Sequence, residues 1–575
     1  MLVCSLASCG GTDSNSTAST TDETTSSRKA LYLTLYAITN ESTTDEAVKA
    51  VETQLNRLTE SRYKTSLQLR YYTEDKYQEA LDSMYAEFDK QEAEEEAKAA
   101  EEAAEAAKKR EEEKNMSAEE LRKRRQEERL AAKEAEKKAK EEAEAEQEAI
   151  ENGEDVAPDP ITGPQMDIVF INGYEAYKTM VDNDLLVAMD EYLTLSNKLI
   201  GDYIPSTLLS AAQINTKTYG IPTNQAVGVS DYFVFRKDIV DKYNFNIKSV
   251  KTLYNCEDML ATVKKNEPGI VPMLAPVTCS GIDFYTGEEG YPIAVTNNEF
   301  SYFSAEKAFN LFNIFTVNSH FERMANFRAN GYFAADPENC DNWFLAIKTG
   351  SLKDVQQWES EGYVATLYRK SIATAPQVCT ALYGISSYTK YPDRCMEIIQ
   401  MMYTDANFRN LFMYGIENEN YVVDENGMTA HMLNDTYSMD FYKTGNTFIG
   451  YLPEGTPLTY VEDAKEANQG IKTSGFAGFT PTFSEDQAKL LEEFAAATSG
   501  YYTKLCSGVP DWKEQLAEVQ GKLAALGFDQ FLEDSFNVQY EPIAKDLSDT
   551  AKALQGSSLS DYVEIEDDGA PAHEE

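Results

Sequence analysis

Apolar residues in "KALYLTLYAI", residues 29 to 38, fall at Leu31, Leu33 and Leu35, and this alternation predicts a half-buried strand. The period then changes. In "TTDEAVKAVETQLNRLTE" the residues Val48, Val51, Leu55 and Leu58 recur at spacings of three, four and three, which puts them on one face of a helix. "TSLQLRYY" predicts a second strand and "EDKYQEALDSMYAEF" a second helix. The order βαβα opens a parallel sheet.

The third strand comes only at "MDIVFI", residues 166 to 171. From about Lys90 to Glu151 the chain is almost wholly Ala, Glu, Lys, Arg and Gln, residues that favour helix and can form i,i+4 ion pairs but cannot build a core. A single helix from Tyr77 to Ile150 would run roughly 110 Å. The 15 or so residues "ENGEDVAPDPITGPQ" reach back at most roughly 50 Å. One straight helix therefore does not close the chain. "NMSAEEL" offers Ser117 with Glu120 three residues on, a capping-box start. The segment is expected to be an antiparallel helical hairpin turning near Asn115 to Ser117, with arms of similar length and at most loose pairing. A charged helix with no fixed return is the competing reading.

Composition narrows the chemistry. At 42% hydrophobic and 11% aromatic residues, 575 residues can bury large cores and suggest two or more lobes. A formal charge of -45 argues against nucleic acid, whose binding depends on Lys and Arg. The eight cysteines include no C-x-x-C pair or zinc spacing, and the three histidines, His320, His431 and His573, stand far apart. No nucleophile-elbow, P-loop or zinc-protease motif is present, and neither a metal nor a cofactor is expected.

The opening "SLASCGG" resembles the lipobox of bacterial lipoproteins: Leu6, Ala7, Ser8 and then Cys9 as lipid acceptor, with Cys4 a rival. Most of the usual leader is missing before it, so the natural start is expected upstream. Residues 1–9 would be the truncated signal, and 10–28 a disordered tether of roughly 24 Å reach. Nothing else reaches the 18 or so apolar residues of a membrane helix, so attachment would be by lipid.

From Asp167 the chain reads "DIVFINGYEAYKTMVDNDLLVAMDEYL" and then "YGIPTNQAVGVSDYFVFRKDIVDKYNF". These stretches resemble the extracellular solute-binding proteins of ABC importers, the sugar-binding type common as lipoproteins in Gram-positive bacteria. Asn183-Asp184 and Asn244 stand where that family usually has glycine. "WFLAIKTGSL" (343 to 352) and "YGISSYTKYPDRCMEIIQMMYTDANFRNLFMYGIENENY" (383 to 421) continue the resemblance. "TGNTFIGYLPEG", "GFAGFTP" and "KLAALGFDQFLEDSFNVQY" resemble a C-terminal domain found in many such lipoproteins.

The resemblance implies a two-lobed α/β fold of the periplasmic-binding-protein kind, type II, here with the charged hairpin inserted. The expected divisions are residues 29–89 and 161–225 for lobe 1, 90–160 for the insertion and 226–380 mainly for lobe 2. Residues 381–545 would form the helical return and C-terminal domain, and 546–575 an acidic disordered tail. It also implies a monomer, lipid-anchored on the extracellular face of the membrane, that hands a carbohydrate or other small polar ligand to the ABC permease subunits. Candidate ligand contacts in loops expected at the cleft are Tyr36, Asn40, Asn172, Tyr174 and Asn224 on lobe 1, and Asp283, Tyr285, Asp341 and Trp343 on lobe 2. For any single aromatic among them, core packing is the competing role. A surface enzyme acting on polysaccharide would need a preorganised nucleophile or acid/base pair, which no motif supplies. An adhesive or scaffolding lipoprotein would use the hairpin but leave the α/β pattern unexplained.

Overall fold

The computed structural model describes residues 28–114, 116–151, 161–195, 199–285, 290–296, 307–469 and 471–545. The Cys9 lipid site, the tether up to residue 27, Asn115 and the acidic tail lie outside the described residues.

Strand β1 (Leu31–Ile38) leads to helix α1 (Asp45–Tyr63), strand β2 (Thr65–Tyr72) and helix α2 (Glu74–Lys114). Thr44 caps α1, its hydroxyl accepting from Ala47 N at 3.3 Å, while Asp45 and Glu46 complement the positive end of the helix. Val51, Leu55 and Thr59, each four residues apart, form its buried line. In β1, however, every residue from Leu33 to Ile38 is buried, not alternate ones. The strand lies inside its sheet with parallel neighbours on both sides, and sheets of that kind are covered on both faces.

Helix α2 runs unbroken for 41 residues, and α3 (Ala118–Glu151) follows. Ser117 starts α3 with the expected capping box: its amide and hydroxyl donate to Glu120 Oε2 at 3.0 and 2.6 Å, and its hydroxyl accepts from Glu120 N at 3.4 Å. After α3 the chain returns to Gly163, where an added Cβ would lie 3.5 Å from Gln91 Oε1. From Gln91 α2 travels about 35 Å outward and α3 spans about 50 Å, at 1.5 Å per residue. The two helices therefore double back on each other, with arms of unequal length.

The chain continues through β3 (Ile168–Ile171), α4 (Tyr174–Asp182) and β4 (Gly220–Pro222), then crosses to a second sheet. That sheet holds β5 (Ser230–Arg236), β6 (Val271–Met273), β7 (Trp343–Gly350) and β8 (Tyr363–Arg369), after which the chain returns as β9 (Leu382–Ile385) and helix α5 (Pro392–Thr404). The first sheet has the order β2-β1-β3-β9-β4, with β9 antiparallel to both neighbours. The second has the order β8-β5-β7-β6, with β5 antiparallel to β7 and β8. Asp184 and Asn244, standing where glycine was expected, have φ of 55° and 50°. Both occupy the left-handed region, which Asp and Asn enter more readily than other side chains.

Segments 223–229 and 370–381 join the two sheets, and Lys472–Thr473 pairs with Ile372–Ala373 in the second crossing. Asn468 Oδ1 accepts from Val227 N and Gly228 N at 3.0 and 3.3 Å. A Cβ on Gly228 would sit 2.4 Å from the Ala467 carbonyl, so this close approach requires glycine. A separate aromatic core gathers Phe476, Phe479, Phe494, Phe528, Phe536 and Tyr540 against residues 279–285, 291–295 and 308–321.

Candidate functional site

Parallel strands present their carboxyl ends on one edge of a sheet, and ligands of open α/β sheets bind there. On the first sheet that edge holds a cavity of about 520 Å³. Thr39 and Asn40 enter it directly from β1, and Thr73, Glu74 and Asp75 enter at the β2–α2 junction. Asp440 and Lys443 reach it from a distant segment. Thr39 N donates to Tyr72 O at 2.9 Å, which ties the two strand ends together. Asn40 Nδ2 donates to Ser438 Oγ at 2.5 Å.

Glu74 organises the rim. Its carboxylate accepts from Lys443 Nζ and from Asn172 Nδ2, each at 3.0 Å. The Lys443 hydrogen bond, then that of Asn172, holds the Glu74 carboxyl below its ordinary range. The Thr73 hydroxyl, 2.5 Å from Asp75 Oδ1, lowers Asp75 likewise. Glu41, Glu74, Asp75 and Asp440 thus face one lysine, an anionic rim rich in hydrogen-bond acceptors. Together with the Asn40 amide and the Thr39 and Thr73 hydroxyls, it suits a neutral polyhydroxylated ligand. Among the described residues, no group of three or more His, Cys, Asp or Glu is placed to hold a metal.

Of the residues expected at the cleft, Asn40 and Asn172 come together here. Tyr36 does not: it is fully buried and stacks on Tyr72, and burial pushes its phenol up to about 12. Asn224 is buried at the first crossing, donating to Tyr203 O at 2.8 Å and Asn446 Oδ1 at 3.1 Å. Asp283 is buried too, accepting from Ser474 Oγ at 2.8 Å and Gly475 N at 2.5 Å, and burial raises its carboxyl to about 6. Tyr285 lies among Tyr291, Phe476, Phe479 and Phe536. Burial, and after it the nearby Tyr174 phenol, raises the Tyr285 phenol, while Tyr174 itself packs, partly buried, against the core of the first sheet.

Asp341 and Trp343 belong to the amino end of β7. The other end of that strand, Gly350, pairs with Ser230 where the chain enters from lobe 1, roughly 23 Å away along eight residues of strand. Trp343 is buried, stacked on Tyr363 at 4.9 Å with Lys348 over its ring. The structure gives it a packing role and does not bring it to the cleft. At the crossover end of lobe 2 stand residues the sequence reading passed over. Arg369 Nε donates to Asp231 Oδ2 at 2.6 Å and Nη1 to Thr278 Oγ1 at 3.3 Å, while Thr349 Oγ1 donates to Asp231 Oδ1 at 2.6 Å.

No family model matches the chain. It is 23% identical over 356 residues to a carbohydrate ABC transporter substrate-binding protein of Streptococcus pneumoniae, covering 58% of this chain and 70% of that one. Among solved structures it resembles the N-glycan transport solute binding protein (NgtS) from Streptococcus pneumoniae, with a TM-score of 0.50 and 17% identity, over 90% of this chain and 99% of that one. An HMO-binding, ABC-transporter-associated solute binding protein from Bifidobacterium longum infantis aligns with a TM-score of 0.44 and 11% identity, over 90% and 99%. The likeness to the pneumococcal structure establishes the fold: this chain has the two-lobed α/β architecture of solute-binding proteins. No helix among the described residues is long and apolar enough to cross a membrane.

Proposed function

We propose that this chain is the substrate-binding component of a carbohydrate ABC importer, capturing an oligosaccharide between its lobes without chemical change and delivering it to the permease. The observation that carries this reading is the acceptor-rich cavity at the strand ends of a solute-binding fold, where Glu74, Asn172 and Lys443 already form one hydrogen-bonded set beside Asn40. A ligand touching both lobes binds the closed arrangement best and shifts the population towards it. In this reading Cys9 carries a lipid that holds the protein, as a monomer, on the outer face of the membrane. Residues 90–160 are an appendage to lobe 1, and Tyr174 and Tyr285 border the space that closure narrows.

The test is calorimetric and thermal titration with mannose- and N-acetylglucosamine-containing oligosaccharides, followed by chromatography of the sugar. A ligand at a hundred times its Kd stabilises the folded state by about 2.7 kcal/mol. Intact sugar with saturable stabilisation supports the proposal, and cleaved sugar overturns it. Lys443→Ala, at a side chain that is 17% exposed, is expected to weaken binding about tenfold by removing a charged donor, with the melting temperature of the empty protein little changed.

A further inference from the structure

A second cavity, of about 570 Å³, opens at the opposite edge of the first sheet. It lies at the amino ends of β1 and β3, roughly 26 Å from the cleft along the eight residues of β1. One wall is the base of the hairpin, with Gln91 on α2 and Ile161 to Pro164 on the returning chain. The facing wall is the entry to α5, Tyr388 to Arg394.

The floor of this cavity is already organised. Asp167, buried, accepts from Thr34 N at 2.8 Å, Gln165 Nε2 at 2.6 Å and Thr389 Oγ1 at 2.5 Å, so its charge is held by donors beneath the opening. Arg394 is fixed by the Tyr63 carbonyl, by Thr65 Oγ1 at 2.9 Å and by Lys29 O at 3.2 Å. Tyr388 is clamped flat against Phe88, ring centroids 4.0 Å apart and 7° from parallel. Tyr391, 41% exposed, and Lys390 stand at the mouth.

Charge separates this cavity from the cleft. The cleft sets four carboxylates against one lysine. Here Lys29 and Lys390 face Asp393, while Arg394 and Asp167 are both already engaged, Arg394 also lying 3.9 Å from Glu397, so the exposed cation at the mouth is Lys390, on a chain of formal charge -45. Tyr32, Tyr388 and Tyr391 add aromatic surface, and Gln91 and Gln165 add amides. Aromatic rings beside amides suit a sugar ring, and a lysine suits a carboxylate.

We infer that this cavity is a second saccharide site, separate from the transport cleft, that takes a sugar residue bearing a carboxylate. It does not depend on what the cleft binds. A ligand there would bridge the hairpin base and the body of lobe 1, because each supplies one wall.

The test is saturation-transfer NMR on the full chain with sodium glucuronate, glucose and inorganic phosphate at constant ionic strength. Glucuronate is expected to bind saturably, with glucose and phosphate each weaker by about tenfold, the weight of one charge-assisted contact. The pair Lys390→Ala and Tyr391→Ala, both at exposed positions, should weaken glucuronate by at least that factor, whereas Lys443→Ala in the cleft should leave it unchanged. The inference is overturned if glucose or phosphate binds as well as glucuronate, if no saturable binding occurs, or if Lys443→Ala rather than the mouth pair abolishes it. None of these results touches oligosaccharide capture by the cleft.

Discussion

Helix α2 is two different objects joined without a break. From Glu74 to Phe88 it belongs to the body: Tyr77 and Leu81 are buried, and Met84, Tyr85 and Phe88 pack against the same core. From Asp89 to Lys109 every side chain is exposed. The helical hydrogen bonds continue through the change, because Ala, Glu, Lys and Gln favour helix whether or not anything covers them. Helix formation and burial are thus separate consequences of sequence. The first half owes its place to packing, and the second owes its form to local propensity and to pairs such as Lys109 with Glu105, 3.0 Å apart at i,i+4.

The comparison breaks hardest in the first half. Tyr77 sits under Tyr72 and Phe170 and donates to the Phe170 carbonyl at 2.7 Å. Tyr77→Ala removes a buried ring and its hydrogen bond to that carbonyl, and a loss of about 3–5 kcal/mol in denaturant unfolding is expected. A loss below about 1 kcal/mol, the range of surface substitutions, would mean that the body does not rely on this helix.

Burial also separates the regions by their response to acid. His320, packed in the second lobe with Nε2 2.7 Å from the Val277 carbonyl, is pushed down to about 4 by burial, with Arg323 and Arg369 adding to the effect. Between its unfolded value of 6.5 and about 4 the unfolded chain therefore binds one more proton at this site. Stability from His320 is complete above 6.5 and falls as pH drops, by roughly 3 kcal/mol in all. Asp283, raised to about 6, works in the opposite direction: its contribution is lost as pH rises from 3.8 towards 6. Unfolding free energies of the protein and of His320→Gln, measured from pH 4 to 7, should differ in slope, with the variant losing less on acidification. Parallel slopes would show that His320 takes up its proton equally in the folded and unfolded states and would remove this assignment.

The same split explains what could be read from the sequence. The βαβα opening, the hairpin and its start at Ser117 were legible because spacing, propensity and capping act over a few residues. The burial of both faces of β1 was not, since Leu31, Leu33 and Leu35 alternate in either case and only the flanking strands and their coverings decide. At the candidate site, Asn40 and Asn172 followed from the rule that strand ends carry ligands. Applied to the end of β2, that rule would have found Thr73 and Glu74 as well. Asp440 and Lys443 offered no such signal, because they meet Glu74 across more than three hundred residues. Trp343 misled because a polar neighbourhood in sequence, "CDNWF", marks the start of a strand as readily as its end.

The mildest prediction concerns the exposed half of α2. Ala103 lies in its middle, exposed, with no core to disturb. Ala103→Gly adds backbone freedom and is expected to destabilise the helix locally by about 1 kcal/mol. If the two halves are energetically separate, amide hydrogen exchange should quicken between about residues 95 and 110, while exchange around Tyr77 and the midpoint of global unfolding stay where they were. A hairpin held by the body would respond otherwise, because a local loss would then be shared with the unfolding of lobe 1. A shift of the global midpoint with Ala103→Gly would therefore tie the hairpin to the core and remove the distinction between the two halves of α2.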